Sequence, residues 1–148
     1  MSNTPQIRIN LANSNDFYEV IQLYKQLWEE WQFYDEDKLK AIFQTDLETS
    51  RKIYLVARKA NKIVGVCSLV IKADLHYLKT AIIDELIVDI NFRKQGIGKK
   101  LLNMAFEIAK KRKCYRVELN SNMARTDAHK FYEANGFEKS SYYFKKKL

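Results

Sequence analysis

Residues 91–101, Asn-Phe-Arg-Lys-Gln-Gly-Ile-Gly-Lys-Lys-Leu, set two glycines among four cations, between an apolar run and an amphipathic one. Glycines let the backbone turn tightly and approach a ligand, and the free N–H groups and positive dipole at a helix start attract a phosphate. Arg93, Lys94, Lys99 and Lys100 can add charge around it, although each also reads as an ordinary solvated cation. Two other phosphate-binding patterns fail on spacing. The third glycine of GxGxxG falls on Leu101, and a P-loop's first glycine falls on Arg93, with Lys100 where its Ser or Thr belongs. A lone GxG is also compatible with a plain strand-to-helix turn.

Asp84 and Glu85 interrupt the otherwise apolar run Ala81 to Ile90. Strict alternation places Ile83, Glu85 and Ile87 on one face of a strand, and Ile82, Asp84, Leu86 and Val88 on the other. A carboxylate in such a run either handles a proton or pairs with a Lys or Arg at the sheet surface. The histidines, His76 and His129, have no partner at i+4 and no cysteine cluster, so a metal site is not indicated. His76, in a polar segment, could contact a substrate or, with Asp74 or Glu85, a labile divalent ion; His129 reads as packing on the last helix. Cys67 and Cys114 lack CxxC spacing, which points away from zinc and disulfides and toward a reduced, cytoplasmic setting.

The elements that must position these groups follow from periodicity. Phe17, Val20, Ile21, Tyr24, Leu27, Trp28 and Trp31 predict a helix over 15–31, capped near Asn13 to Asn15, and Leu39, Ile42, Phe43 and Leu47 predict a second over 36–48. Segments 52–58 and 62–72 read as a β-hairpin turning at Lys59-Ala60-Asn61, and 81–90 as a central strand. A helix over 97–112 and a strand over 115–120 complete a β-loop-α-β unit, hence a parallel pair with a right-handed crossover. A short helix over 127–134, an Asn135-Gly136 cap and a final strand over 142–147 close the chain. The expectation is one α/β domain over residues 1–148, with a mixed central sheet flanked by helices.

Composition agrees with a single packed domain. The 148 residues are 47% hydrophobic with one proline and four glycines, which excludes collagen-like and low-complexity chains. No basic-then-apolar leader and no bilayer-length apolar stretch is present, so no membrane association is expected. The formal charge is +8, and residues 93–116 alone sum to +8. The excess therefore coincides with the glycine loop and the helix that follows it, which suits a ligand carrying several phosphates.

Arg93-x-x-Gly96-x-Gly98 after DELIVD resembles the acyl-CoA-binding motif of the GNAT acetyltransferase superfamily, written Q/R-x-x-G-x-G/A. Downstream, Ala128-His129-Lys130-Phe131-Tyr132-Glu133-Ala134-Asn135-Gly136-Phe137 resembles that superfamily's A-x-x-F-Y-x-x-x-G-F segment. The likeness covers residues 52–148 well and the N-terminal helices loosely. DELIVD, RTDAHKFYEANGFE and SYYFKKKL are most similar to aminoalkylphosphonate N-acetyltransferases and their relatives.

The resemblance implies a GNAT-type fold with two splayed parallel strands and acetyl-CoA as co-substrate. It implies direct transfer to a primary amine of a small molecule in a ternary complex. Glu85 is then the candidate base and Tyr132 the candidate acid toward the leaving sulfur. The backbone of Leu86, Ile87 and Val88 would meet pantetheine, and Arg93, Lys94, Gln95, Gly96, Ile97, Gly98 and Lys99 the pyrophosphate. Asn120 and Arg125 are further cofactor candidates; Arg125 stands where many members carry Asn. His76, Trp28 and Tyr34 are candidate acceptor contacts. A homodimer is the family default. The competing readings are a protein or peptide acetyltransferase, a non-catalytic acyl-CoA-binding module, and a nucleic-acid-binding module. The last lacks the sequence patterns of RNA-recognition sheets and C2H2 fingers, so no nucleic-acid partner is expected.

Overall fold

The structure is a computed structural model that describes residues 4–27 and 34–148. Its strands are β1 (Arg8–Leu11), β2 (Ile53–Lys59), β3 (Lys62–Asp74), β4 (Leu78–Val88) and β5 (Arg116–Leu119). They form one sheet in the order β1-β2-β3-β4-β5. The helices are α1 (Phe17–Tyr24), α2 (Glu36–Thr49), α3 (Ile97–Lys111) and α4 (Thr126–Ala134). Neighbours β1 to β4 are antiparallel, and β5 runs parallel to β4 after the α3 crossover.

Local chemistry explains several boundaries. Asn13 caps the first helical turn in a capping box with Asp16. Ala60 and Asn61, at φ of 48° and 67°, make the two-residue turn between β2 and β3. Gly136 takes φ of 91° just past α4, a conformation that costs a residue with a Cβ more. Three expectations are corrected. The four-residue, mostly exposed β1 is too short to show apolar alternation, so periodicity missed it. Helix α1 ends at Tyr24, with a turn over 25–27, and Trp28 and Trp31 lie outside the described residues. Residues 142–147 form no strand: they lie exposed and pair with none of the five strands.

The sheet separates two cores. On one face α3 covers Leu55, Ala57, Val64, Cys67, Leu69, Ala81 and Ile83. On the other, α1 and α2 cover Tyr54, Val56, Ile63, Val66 and Ile87. Ile83 and Ile87 thus face opposite ways, against the expected strict alternation. The reason is a bulge: Leu69 opposes Ile83 and Ser68 opposes Glu85, leaving Asp84 as an extra residue in β4. The bulge flips the phase, so Glu85 and Ile87 point toward α1 and α2.

β5 pairs with β4 only from Thr80 to Ile83, whereas β4 continues to Val88. Beyond Ile83 the two parallel strands part, and the backbone of residues 84–88 on that side has no strand partner. Leu86, Ile87 and Val88 remain held from the other side by Cys67, Val66 and Gly65.

Gly65 fixes how closely α3 lies on the sheet. A Cβ there would stand 3.0 Å from Leu101 Cδ1, 3.1 Å from Ile97 Cγ2 and 3.3 Å from the Ile87 carbonyl oxygen. Gly65→Val is expected to destabilise the fold by about 1–3 kcal/mol through overpacking, read as a lower urea midpoint in circular dichroism.

Candidate active site

Glu85 is the hub of a polar cluster under α1. Its Oε2 accepts hydrogen bonds from Tyr24 Oη at 3.0 Å and from Ser68 Oγ, and lies 3.0 Å from Lys52 Nζ. Ser68 Oγ also accepts from the Glu85 backbone N–H at 3.2 Å. The Lys52 ammonium reaches Asp84 as well, at 3.1 Å, which strict alternation forbids and the bulge permits. Glu85 is therefore a paired carboxylate at 27% side-chain exposure, not a lone buried one. Three donors meet at Oε2, and among the described residues no donor meets Oε1.

The cluster closes one end of a recess of about 200 Å³. Phe17, Val20, Ile21 and Tyr24 of α1, Leu39, Ile42 and Phe43 of α2, and Tyr54 of β2 form its walls. Those walls are anchored by Tyr54, whose hydroxyl donates to buried Asp46 at 2.7 Å, while Arg51 pairs with the same carboxylate at 2.9 Å. Burial pushes the Tyr24 hydroxyl well above its ordinary range, and the adjacent Glu85 charge pushes it the same way, so Tyr24 stays a donor. Around Lys52, burial works against the charge, but the Glu85 and Asp84 carboxylates outweigh it and hold the ammonium protonated. Lys52 and Glu85, one charge of each sign, line the recess, and Asp84 pairs with Lys52 outside its lining.

On the opposite side of β4 lies the parted edge. The chain leaves Val88 through a short 3-10 turn, Ile90–Phe92, then Lys94 at φ of 61° and Gly96 at φ of 77°. Gly96 is the N-cap of α3 and offers no side chain to cap it, so the first-turn N–H groups face outward. Gly98 serves packing: a Cβ on it would meet Phe131 Cζ at 3.3 Å and Val88 Cγ2 at 3.7 Å. The ends of β4, α3 and α4 thus converge at the mouth of the parting. Arg93 Nε donates to the Val88 carbonyl at 3.1 Å, Gln95 accepts from Lys59 at 3.2 Å, and Lys94 and Lys99 are exposed. Uncapped N–H groups, an unpaired strand edge and the Ser121 hydroxyl, buried just past β5 with no partner among the described residues, fit an elongated polar ligand ending in phosphates.

Tyr132 projects from α4, 8% exposed, with its ring edge-on to Phe131 and Phe137. Burial raises its hydroxyl above the ordinary value, with the Arg125 charge pulling partly back. Arg125 is the exposed residue that precedes α4, and Asn120 is exposed at the end of β5. Burial, reinforced by the Glu85 charge, pushes the Cys67 thiol up to about 12, so Cys67 is no nucleophile.

Other expected contacts fall elsewhere. His76 sits at the tip of the β3–β4 hairpin, its ring edge-on to Tyr77 at 4.2 Å. From Leu78 to Glu85 is seven residues of strand, about 23 Å, so His76 is not at the recess. His129 Nε2 bonds the Asn122 carbonyl at 2.9 Å, a packing role. Tyr34 packs on the α1–α2 core with Lys25 Nζ 4.8 Å from its ring centre, and Trp28 lies outside the described residues. No group of three metal-ligating side chains occurs among the described residues. Tyr24, Lys52 and Ser68 were missed as site residues. Counting back from the hairpin tip pairs Ser68 with Asp84, and only the bulge brings it to Glu85.

Comparison with known proteins agrees with this geometry. The pattern of the acetyltransferase (GNAT) family matches residues 18–137. The chain is 36% identical over 96 residues to the aminoalkylphosphonate N-acetyltransferase of Salmonella typhimurium, covering 64% of this chain and 62% of that one. An uncharacterised N-acetyltransferase of Bacillus subtilis is 34% identical over 83 residues, covering 55% and 58%. The matches thus span less than two thirds of either relative's length. Among solved structures, an aminoglycoside acetyltransferase from an uncultured soil metagenomic sample, in complex with sisomicin, superposes with a TM-score of 0.84 at 25% identity, covering 96% of each chain.

Gly96→Asp tests the loop. Its Cβ would enter open space, so the fold should survive with a loss of about 1–2 kcal/mol from the left-handed backbone. The added charge should abolish coenzyme A binding in isothermal titration calorimetry.

Proposed function

This chain belongs to the acetyltransferase (GNAT) family, and we propose that it is an acetyl-CoA-dependent N-acetyltransferase that acetylates the primary amine of a small molecule of the aminoalkylphosphonate class. The observation that carries the reading is Glu85, tied at Oε2 and free at Oε1, at the end of a small recess. A recess of about 200 Å³ suits one small amine better than a polypeptide segment. The phosphonate class rests on the Salmonella relative. A second reading, a polycationic amine, rests on the likeness to the aminoglycoside acetyltransferase in complex with sisomicin.

Acetyl-CoA supplies the activated thioester. The uncapped N–H groups of Ile97, Gly98 and Lys99 would hold its pyrophosphate, with the unpaired β4 edge at residues 86–88 along its pantetheine arm. Glu85 Oε1 takes the proton that the acceptor ammonium must lose, directly or through water, before its nitrogen attacks. Tyr24, Ser68 and Lys52 keep the carboxylate from rotating away. Tyr132 donates its phenolic proton toward the departing sulfur, and burial keeps that proton in place at neutral pH. Cys67 takes no part, which is consistent with direct transfer without a covalent enzyme intermediate.

A thiol-release assay comparing aminoalkylphosphonates with aminoglycosides, polyamines and peptides should give the highest kcat/KM for an aminoalkylphosphonate. A polyamine or aminoglycoside in first place would support the second reading instead. Tyr132→Phe should lower kcat about a hundredfold with the KM for acetyl-CoA nearly unchanged. Because the Tyr132 hydroxyl lies above its ordinary 10.0, it works protonated and is lost only as pH rises past that value. No alkaline limb of kcat below pH 10 should therefore disappear in Tyr132→Phe. Glu85→Gln should lower kcat/KM about a hundredfold or more with the KM for acetyl-CoA nearly unchanged, and an undiminished kcat/KM would point to another base.

A further inference from the structure

Six of the ten residues that line the recess, Phe17, Val20, Ile21, Leu39, Ile42 and Phe43, carry no polar side-chain atom. The polar groups of the other four are already engaged. The Tyr54 hydroxyl donates to Asp46 at 2.7 Å and the Tyr24 hydroxyl to Glu85 at 3.0 Å. Lys52 is shared between the Asp84 and Glu85 carboxylates, at 3.1 Å and 3.0 Å. A hydroxyl, an amide or a phosphonate placed within these walls would give up its water and find no idle hydrogen-bonding donor in exchange. The walls therefore accept carbon and reject polar groups, except at Glu85 Oε1.

They also suit a ring. Phe17 and Phe43 lie 5.7 Å apart between centroids, and Phe43 meets Tyr54 edge-on at 4.9 Å, so part of the lining is an aromatic cluster that a further ring can join. The volume of about 200 Å³ exceeds the roughly 150 Å³ at which an apolar cavity holds benzene. Phe17, Val20, Ile21 and Phe43 are buried, whereas Ile42 is 51% exposed and Leu39 part-buried. Helix α2 thus brings the recess to solvent at Ile42.

We infer that the acceptor is a primary amine with an apolar group beside its nitrogen, branched alkyl or phenyl in size, seated between α1 and α2 while the ammonium meets Glu85 Oε1. The inference rests on the reading of Glu85 as the base and deepens it, because a phosphonate on the same acceptor stays outside the apolar walls. An acceptor with only hydrogen or methyl in that position leaves most of the recess to water. An isobutyl or benzyl group displaces the water and buries itself instead. The chemistry is unchanged and balances. The ammonium gives one proton to Glu85, the nitrogen–carbon bond forms as the carbon–sulfur bond breaks, and the sulfur takes the Tyr132 proton. The second amine proton restores Tyr132, so the products are the N-acetyl amine, the coenzyme A thiol and one proton.

Thiol release from acetyl-CoA is measured with two sets of amines. In both, the carbon that bears nitrogen carries hydrogen, methyl, isobutyl or benzyl; in one set it also carries a phosphonate. In at least one set kcat/KM should rise about tenfold or more from methyl to isobutyl and stay high for benzyl, since a single methylene in an apolar pocket is worth about ten- to 200-fold. Ile42→Asn, at a half-exposed wall, should keep the far-ultraviolet spectrum and bring the isobutyl-to-methyl ratio close to one. A rise confined to the phosphonate-free set would sustain the apolar group and remove the phosphonate from the acceptor. A flat or falling series in both sets, or turnover of neither, would overturn the inference, whereas Glu85→Gln with the best acceptor tests the base separately. A ratio left intact by Ile42→Asn would place the apolar group elsewhere and overturn it too.

Discussion

One extra residue in β4, Asp84, sets the direction of every side chain after it. Ahead of the bulge, Ala81 and Ile83 lie in the core beneath α3; beyond it, Glu85 and Ile87 turn toward α1 and α2. With uninterrupted pairing Glu85 would point at Leu69, Leu101 and their neighbours, where no donor waits and a charge is costly. The bulge brings Glu85 opposite Ser68 and within reach of Tyr24 and Lys52. It also marks the level at which β5 stops pairing, so the polar cluster and the open edge of β4 begin at the same point. A bulge that aims a side chain and ends a pairing serves both purposes with a single insertion.

The polar cluster behind this arrangement draws on three distant parts of the chain. Tyr24 comes from α1, Lys52 from the start of β2 and Ser68 from the middle of β3. Each alone would be an expense in a partly buried setting; together with Glu85 and Asp84 they satisfy one another. Because Tyr24 is both a wall of the recess and a ligand of the carboxylate, the position of α1 and the orientation of Glu85 are mechanically joined.

The legible part of the molecule was what depends on local periodicity. The β2–β3 hairpin, α2, α3, α4 and the parallel pair appear within a few residues of where apolar spacing puts them, and the two-motif resemblance points to the family. Gly96 and Gly98 also stand at a strand-to-helix turn, with different tasks: φ of 77° at one, contact with Phe131 at the other. What periodicity cannot carry is register. The Asp84 bulge has no sequence signature of its own, so the faces of β4 came out wrong and Ser68 was not singled out. His76 shows the opposite limit, since a polar loop near a catalytic strand in sequence lies at the far end of a long hairpin in space. Strand propensity at 142–147 says nothing about whether an edge is present to receive it.

The sheet works as a partition between two packing regions with different partners. Residues under α3 answer to the glycine loop and α4, whereas those under α1 and α2 answer to the recess they line. Substitutions in one region have few shared contacts with the other, so their effects should be close to independent. A lineage can therefore remodel the recess by altering α1 and α2, changing shape and polarity there one residue at a time. The half of the molecule that carries the glycine loop stays under its own, separate selection throughout. Evolvability of this kind is a property of the two-sided sheet, and the bulge is the one point where the two halves are obliged to agree.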